Sequence, residues 1–289
     1  MTAHNPSDRE GMILLNVLFI VAVAAIVVML MVTSQDVAID RTGRFREAAQ
    51  AAAYARAGEA SAIVALRRDA AEAPATDHSR EAWGAVEDRD IAIRGGRFSL
   101  KVDDDQARFN LNSIGAGNLV AEARLARVLD ALGLPKGLLE PIVAYVRISG
   151  SVASMDELLI VGLGPADIAT LSQLVTVLPR DTPININTAD ERLLAVLFDS
   201  PVTARLLAST RQRRGYLTPG DLAGLNAFLP PGAGFTSNFF TVETEVEVGD
   251  TRQRVMSSLV RRVNSSGAEV VVYARQRLAA APVETPPPV

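Results

Sequence analysis

The sequence predicts an α+β fold in which a long N-terminal membrane helix packs on an antiparallel sheet, and a large helical domain is inserted into that sheet. Three observations predict it. Residues 12–32 form one uninterrupted apolar run. Period-two alternation comes in two blocks, one near residues 91–102 and one from Phe240 onward. Between the blocks, from about Asn118 to Leu225, the apolar period changes to that of a helix.

The apolar run, Met12 to Val32, is 21 residues long and holds Asn16 as its only strongly polar side chain. At ~1.5 Å rise per residue it spans roughly 30 Å, the thickness of a bilayer's hydrocarbon core. A core helix would show a polar stripe, and none is present. A cleaved secretory signal would be shorter and end in a small-residue cleavage site, whereas this run continues into Thr33-Ser34-Gln35-Asp36 and more helix-rich sequence. The run is read as a transmembrane helix in contact with membrane lipid. Flanking charge alone would leave the C-terminal side cytoplasmic, because Arg41, Arg44 and Arg46 outweigh Arg9.

Residues 33–70 are rich in Ala and lack Pro, so the helix is expected to continue out of the membrane through Gly43 and Gly58. The two parts together would make one helix of ~55 residues, or ~80 Å. Phe45, Ala49, Ala53, Ala57, Ala60 and Val64 recur at spacings of three and four. That narrow, small-sided stripe suits close packing against a sheet. Ala71 to Asp88, with Pro74, His78 and Trp83, reads as a surface connection with a solvated His78.

A first hairpin is expected over 89–112, where Ile91 and Ile93 face Phe98, Leu100 and Val102 across Gly95-Gly96. Asp103-Asp104-Asp105 reads as a solvated turn, since calcium ligands normally alternate and are followed by Gly and a later Glu. The inserted helical domain is placed at 113–237. Leu125, Val128, Leu129 and Leu132 form one helical face closed by Gly133 and Pro135, and Pro141 opens another helix. Ser154-Met155-Asp156-Glu157 and Thr188-Ala189-Asp190-Glu191 both fit a capping box before a Leu-Leu pair. A turn and a second helix follow each, so two related modules are expected.

Returning strands are placed at 238–278. Phe240, Val242, Thr244, Val246 and Val248 alternate with Thr241, Glu243, Glu245 and Glu247, and Gly249-Asp250 and Asn264 to Gly267 turn the chain twice into a three-stranded meander. The Glu row is its solvated face. Residues 279–289, rich in Pro and Ala, are expected to be disordered.

Composition narrows the chemistry. Net charge is -4 and pI about 5.4, which leaves no basic footprint for nucleic acid. There is no Cys, and His4 and His78 are the only histidines, so disulfides, Cys-ligated metals and His clusters are excluded. No nucleophile–base pair, phosphate loop or metal-ligand spacing is visible, so the protein is read as a non-enzyme without cofactor or metal.

The segment Ile184 to Ala189, with Arg211, Gly215-Tyr216 and Asp221-Leu222, is similar to helix-hairpin-helix (SAM-like) modules. Such hairpins bind nucleic acid when a Gly-rich turn offers backbone N–H groups to phosphates. Here the second turn is Phe198-Asp199-Ser200-Pro201, with no Gly and an added carboxylate, and Arg211, Arg213 and Arg214 are read as a solvated helix end. Nucleic acid is not an expected partner.

The polar leader, residues 1–11, ending in Gly11 directly before the apolar helix, resembles a class III, type IV pilin-like signal. The resemblance implies that a prepilin peptidase cuts after Gly11 and methylates Met12, and that the helix stays in the inner membrane with the rest periplasmic. Most members of that class have Glu as the fifth mature residue, where this chain has Asn16. By family analogy the Glu pairs with a neighbouring subunit's terminal amine, and a subunit with no neighbour above it has no such partner.

That loss, the Asp-rich turn before Asn110-Leu111-Asn112, the Asn185-Ile186-Asn187-Thr188-Ala189 stretch and the order of the parts are similar to K-type minor pseudopilins of the type II secretion system. The resemblance implies a pilin-like fold and a place at the pseudopilus tip, with I-type and J-type minor pseudopilins and the inner-membrane secretion platform as partners. Asn16, Phe45, Ala49, Ala53 and Ala57 become helix-packing residues in that reading. Related proteins place an acidic Asp-Trp-x-Asp stretch and a calcium-linked loop where this chain has Ala144 to Val152, so calcium is not carried over. Two alternatives stay open: a minor pilin of a type IV pilus or DNA-uptake system, and a simple single-span anchored protein with a periplasmic interaction domain.

Overall fold

The computed structural model describes residues 7–84, 88–264 and 267–278. The start of the leader, 1–6, and the expected disordered tail, 279–289, lie outside the described residues.

Helix α1 runs from Ser7–Glu72 over 66 residues without a break. Gly43 does not interrupt it: one Gly costs a helix only about 1 kcal/mol, and Arg41, Arg44, Arg46 and Glu47 around it are good helix formers. The hydroxyls of Thr33 and Thr42 donate back to Met29 O at 2.9 Å and Ala38 O at 2.8 Å, so these residues are absorbed into the helix.

Five strands form one antiparallel sheet in chain order: β1 (Asp88–Ile93), β2 (Gly96–Asp104), β3 (Phe239–Val248), β4 (Thr251–Asn264) and β5 (Gly267–Leu278). The β1–β2 turn uses Gly95 at φ +84°, a conformation that Gly adopts without steric cost. The β2–β3 ladder sets Val102 opposite Val242 and Gly96 opposite Val248, although 134 residues separate Asp104 from Phe239 in sequence. The insert therefore leaves and rejoins the sheet between two adjacent strands.

α1 lies across one face of this sheet. Ala51, Ala55, Ala62 and Leu66 are buried there, against Val246, Val248 and Val255 at one end and Leu100, Phe240, Val242, Leu259 and Val270 at the other. Small residues permit the close approach. A side chain at Gly58 would place its Cβ 2.7 Å from Phe98 Cζ. Trp83, expected on a surface connection, is instead 2 % exposed and packs edge-on to Phe240 at 5.2 Å, closing the end of the helix–sheet core. An indole is too large an apolar surface to leave in water beside an open core.

The insert holds α2 (Leu119–Ala131), α3 (Leu139–Ser149), α4 (Pro165–Leu171), α5 (Glu191–Phe198), α6 (Pro201–Arg214) and α7 (Pro219–Gly224) around a single apolar core. That core begins with Phe109 and Leu111, so the hairpin expected through residue 112 ends at Asp104. Of the two expected capping boxes, Ser154–Glu157 forms but opens a 3-10 turn, Met155–Val161. The other does not form. Asp190 caps α5, accepting from Arg192 N at 2.8 Å, and the Thr188 hydroxyl donates instead to a carboxylate oxygen of Asp104. A buried carboxylate is the stronger acceptor and claims the hydroxyl.

Candidate functional site

The candidate functional features of this chain are the two ends and two faces of α1 and the junction from which the insert hangs. Gly11 and Met12 sit in the first turns of α1. Asn16 follows in an exposed apolar stretch, where the most apolar window has mean hydropathy 3.0 and none of it is buried within the protein. Among the described residues this is the one helix long and apolar enough to cross a membrane.

Beyond the membrane stretch, the stripe read as sheet-packing lies on the opposite side. Phe45 is 70 % and Val64 54 % exposed, and Ala49, Ala53, Ala57 and Ala60 are exposed as well. The sheet takes the face two residues out of phase, Ala51, Ala55, Gly58, Ala62 and Leu66. In a segment this rich in Ala several stripes share the helical spacing, and the acidic residues decide between them. Glu47 accepts from Thr251 Oγ1 at 3.2 Å, and Glu59 from Ser257 Oγ at 2.6 Å and Arg275 at 2.8 and 2.9 Å. Burial would raise the Glu59 pKa, but the Arg275 and Ser257 hydrogen bonds outweigh it and hold the carboxyl below its ordinary value. Arg44, Arg46, Arg56 and Arg68 are exposed.

The junction overturns a second expectation. Asp104 and Asp105, read as a solvated turn, are 6 % and 5 % exposed. Asp104 ends β2, and its carboxylate accepts from Ser237 Oγ at 2.6 Å, Asn185 Nδ2 at 2.9 Å, Gln106 N at 2.8 Å and the Thr188 hydroxyl. Burial pushes its pKa up to about 6 against the pull of those four donors. Asp105 pairs with Arg108 at 2.8 Å and accepts from Thr241 Oγ1 at 2.7 Å. Asn185 Nδ2 also reaches Asp77 O and Ser237 Oγ, each at 2.9 Å. The exit strand, the middle of the insert, its return and the connection after α1 are thus stapled at one point.

His78, expected to be solvated, is part of this staple. Its ring stacks on Tyr216 at 4.8 Å and 2°, and Nε2 lies 3.3 Å from Glu81 Oε1. One oxygen each of Asp69, Asp77 and Glu81 lies within 4.8 Å of the others. Sequence reasoning missed this group because its members sit on α1 and on a connection read as surface.

The helical modules do not offer a free phosphate cradle at their first turn. Gly162 N donates to Leu159 O at 3.2 Å and Gly164 N to Asp167 Oδ2 at 3.1 Å. Arg211, read as solvated, donates to Ile186 O at 3.0 Å and Ala189 O at 2.7 Å, and Arg214 pairs with Asp221. These cations hold the Asn185 to Ala189 segment and the α6–α7 turn. On the sheet, Glu243 and Glu245 lie on the solvated face and pair across strands with Arg254 and Arg252.

No family model matches the chain. It is 30 % identical over 297 residues to type II secretion system protein K of Pseudomonas aeruginosa, covering 88 % of this chain and 89 % of that protein. It is 27 % identical to type II secretion system protein K of Aeromonas hydrophila, covering 89 % and 95 %. The fold matches a chain of the GspK-GspI-GspJ complex of the enterotoxigenic Escherichia coli type 2 secretion system at TM-score 0.68 and 21 % identity, over 83 % of this chain and 100 % of that one. With 30 % identity to such a protein across most of both chains, the chain belongs to the type II secretion system protein K family.

Proposed function

We propose that the protein is the minor pseudopilin at the tip of a type II secretion pseudopilus, taking part in its assembly and in export of folded proteins. A prepilin peptidase removes residues 1–11 and methylates Met12; α1 stays in the inner membrane and the rest is periplasmic. The outward face of α1, with Phe45, Ala49, Ala53 and Ala57, packs against the helices of I-type and J-type minor pseudopilins. The insert caps the filament, and the secretion platform lies below. Asn16 leaves no carboxylate without a partner in lipid. The reading assigns no catalysis, cofactor or calcium.

The observation that carries it is the two-sided α1: one face is closed by the chain's own sheet, and the other is small-sided and open along its length beyond the membrane. The Escherichia coli complex, in which a chain of this fold is solved together with GspI and GspJ, supports the choice of partners.

The test is photo-cross-linking in cells that express the secretion apparatus. A photoreactive residue at Ala53 is expected to give adducts with the I-type or J-type protein, and one at the sheet-facing Ala55 none. Adducts from Ala55 alone would sink the reading. The mass of the N-terminal peptide from the native membrane checks processing, with N-methylated Met12 expected and an intact Met1 counting against the peptidase.

A further inference from the structure

Four parts of the chain meet beneath the insert, and they meet on buried charge. Asp69 comes from the end of α1, Asp77, His78 and Glu81 from the connection, Arg261 from β4, and Ser237 from the return of the insert. The Asp69, Asp77 and Glu81 side chains are 3 %, 2 % and 8 % exposed. One guanidinium serves the two aspartates: Arg261 donates to Asp69 Oδ2 at 3.0 Å, to both carboxylate oxygens of Asp77 and to Ser237 O at 2.6 Å.

Glu81 Oε2 accepts from Trp83 Nε1 at 2.8 Å and His78 N at 3.0 Å. Glu81 Oε1 is buried and receives no hydrogen bond; it faces the His78 ring at 3.3 Å. Asp77 Oδ2 accepts from Ser237 N at 2.7 Å, and Asn185 links this group to Asp104 on β2. Three buried carboxylates with oxygens within 4.8 Å of one another, two of them on a single guanidinium, cannot all ionise cheaply.

We propose that this cluster is a proton-held latch: a proton on Asp69, faced by the Asp77 and Glu81 carboxylates, keeps the connection and the insert docked on the helix–sheet body, and its loss loosens them. Burial, together with repulsion from Glu81 and Asp77, pushes Asp69 up to about 8 against the attraction of Arg261.

The closed junction then holds a proton that the opened one, with its carboxyls back in water, releases. The opening constant therefore rises about tenfold for each pH unit between the ordinary Asp range and about pH 8, and levels off above it. Stability of the junction is present at low pH and lost as pH rises.

The experiment is hydrogen exchange on the full chain in lipid nanodiscs at pH 6.5 and 7.5, where Asp104 is already mostly ionised, with intrinsic exchange rates corrected. Amides of 73–84 and 235–238 are expected to open about tenfold more readily at the higher pH, with α2 and α3 unchanged. Asp69→Asn should remove that slope. A corrected rate in the native protein that is flat with pH overturns the latch, whether or not the variant folds. A slope that persists in a folded Asp69→Asn protein assigns the proton elsewhere and overturns it too.

Discussion

The insert and the helix–sheet body are stabilised in different ways. In the insert, Leu125, Leu129, Leu158, Leu171, Leu193, Leu194 and Leu207 belong to one continuous apolar cluster that runs from Phe109 to Leu222. Under α1 the apolar contacts break into two smaller clusters, and Glu59 with Ser257 and Arg275, and Asp69 with Arg261, sit in the same interface. Apolar contact is insensitive to small slips, whereas a buried carboxylate must find its donors at one position. The difference teaches that the insert is held by amount of burial, and that the register of the long helix on its sheet is held by charge. For a helix whose other face is left open, register decides which residues that open face carries.

The comparison can be broken from either side. The largest loss is expected in the insert: Leu194→Ala, at a fully buried site, should cost about 4 kcal/mol in denaturant unfolding of the detergent-solubilised protein. Asp104→Ala, which strands the Asn185, Ser237 and Thr188 donors, should cost about 3 kcal/mol, with the loss read as early proteolytic release at the insert boundaries. A smaller change, about 1–2 kcal/mol, is expected for Gly58→Val, because the new side chain displaces Phe98 from the helix–sheet contact.

Glu59→Gln should cost about 1 kcal/mol at neutral pH, since Arg275 is half-exposed and its pull is screened. The sign follows from the lowered Glu59 pKa: its contribution is present above the ordinary carboxylate range and fades as pH falls through it, so thermal scans of variant and native protein should converge in acid. Last comes Glu245→Ala on the solvated sheet face, where a change within about 0.5 kcal/mol is expected from melting curves. A Glu245 effect as large as that of Leu194 would invert the contrast between apolar burial and surface charge.

Much of the chemistry at the junction was hidden for a physical reason. Asp103-Asp104-Asp105 carries the composition of a turn, and composition says nothing about donors that arrive from residues 185, 188, 237 and 241. Trp83 was the available signal, since a large aromatic in a polar connection needs an apolar seat. Likewise the sheet-facing side of α1 could be sought from Gly58 and Glu59, a close-approach residue beside an acid in a helix, and not from the larger Phe45 and Val64, which proved exposed.

The sequence by itself determined the elements whose signal is local. The apolar run of α1, the alternation of β3, the glycine turn between β1 and β2 and the helical period of the insert each follow from residues adjacent in the chain, because period and turn chemistry are short-range properties. The order of the parts then placed the insert inside the sheet. Only the tertiary structure decided which face of α1 meets the sheet, which carboxylates are buried and which cap Thr188 forgoes. Those choices depend on partners from other elements of the fold, and a buried charge takes its properties from what surrounds it rather than from its neighbours in sequence.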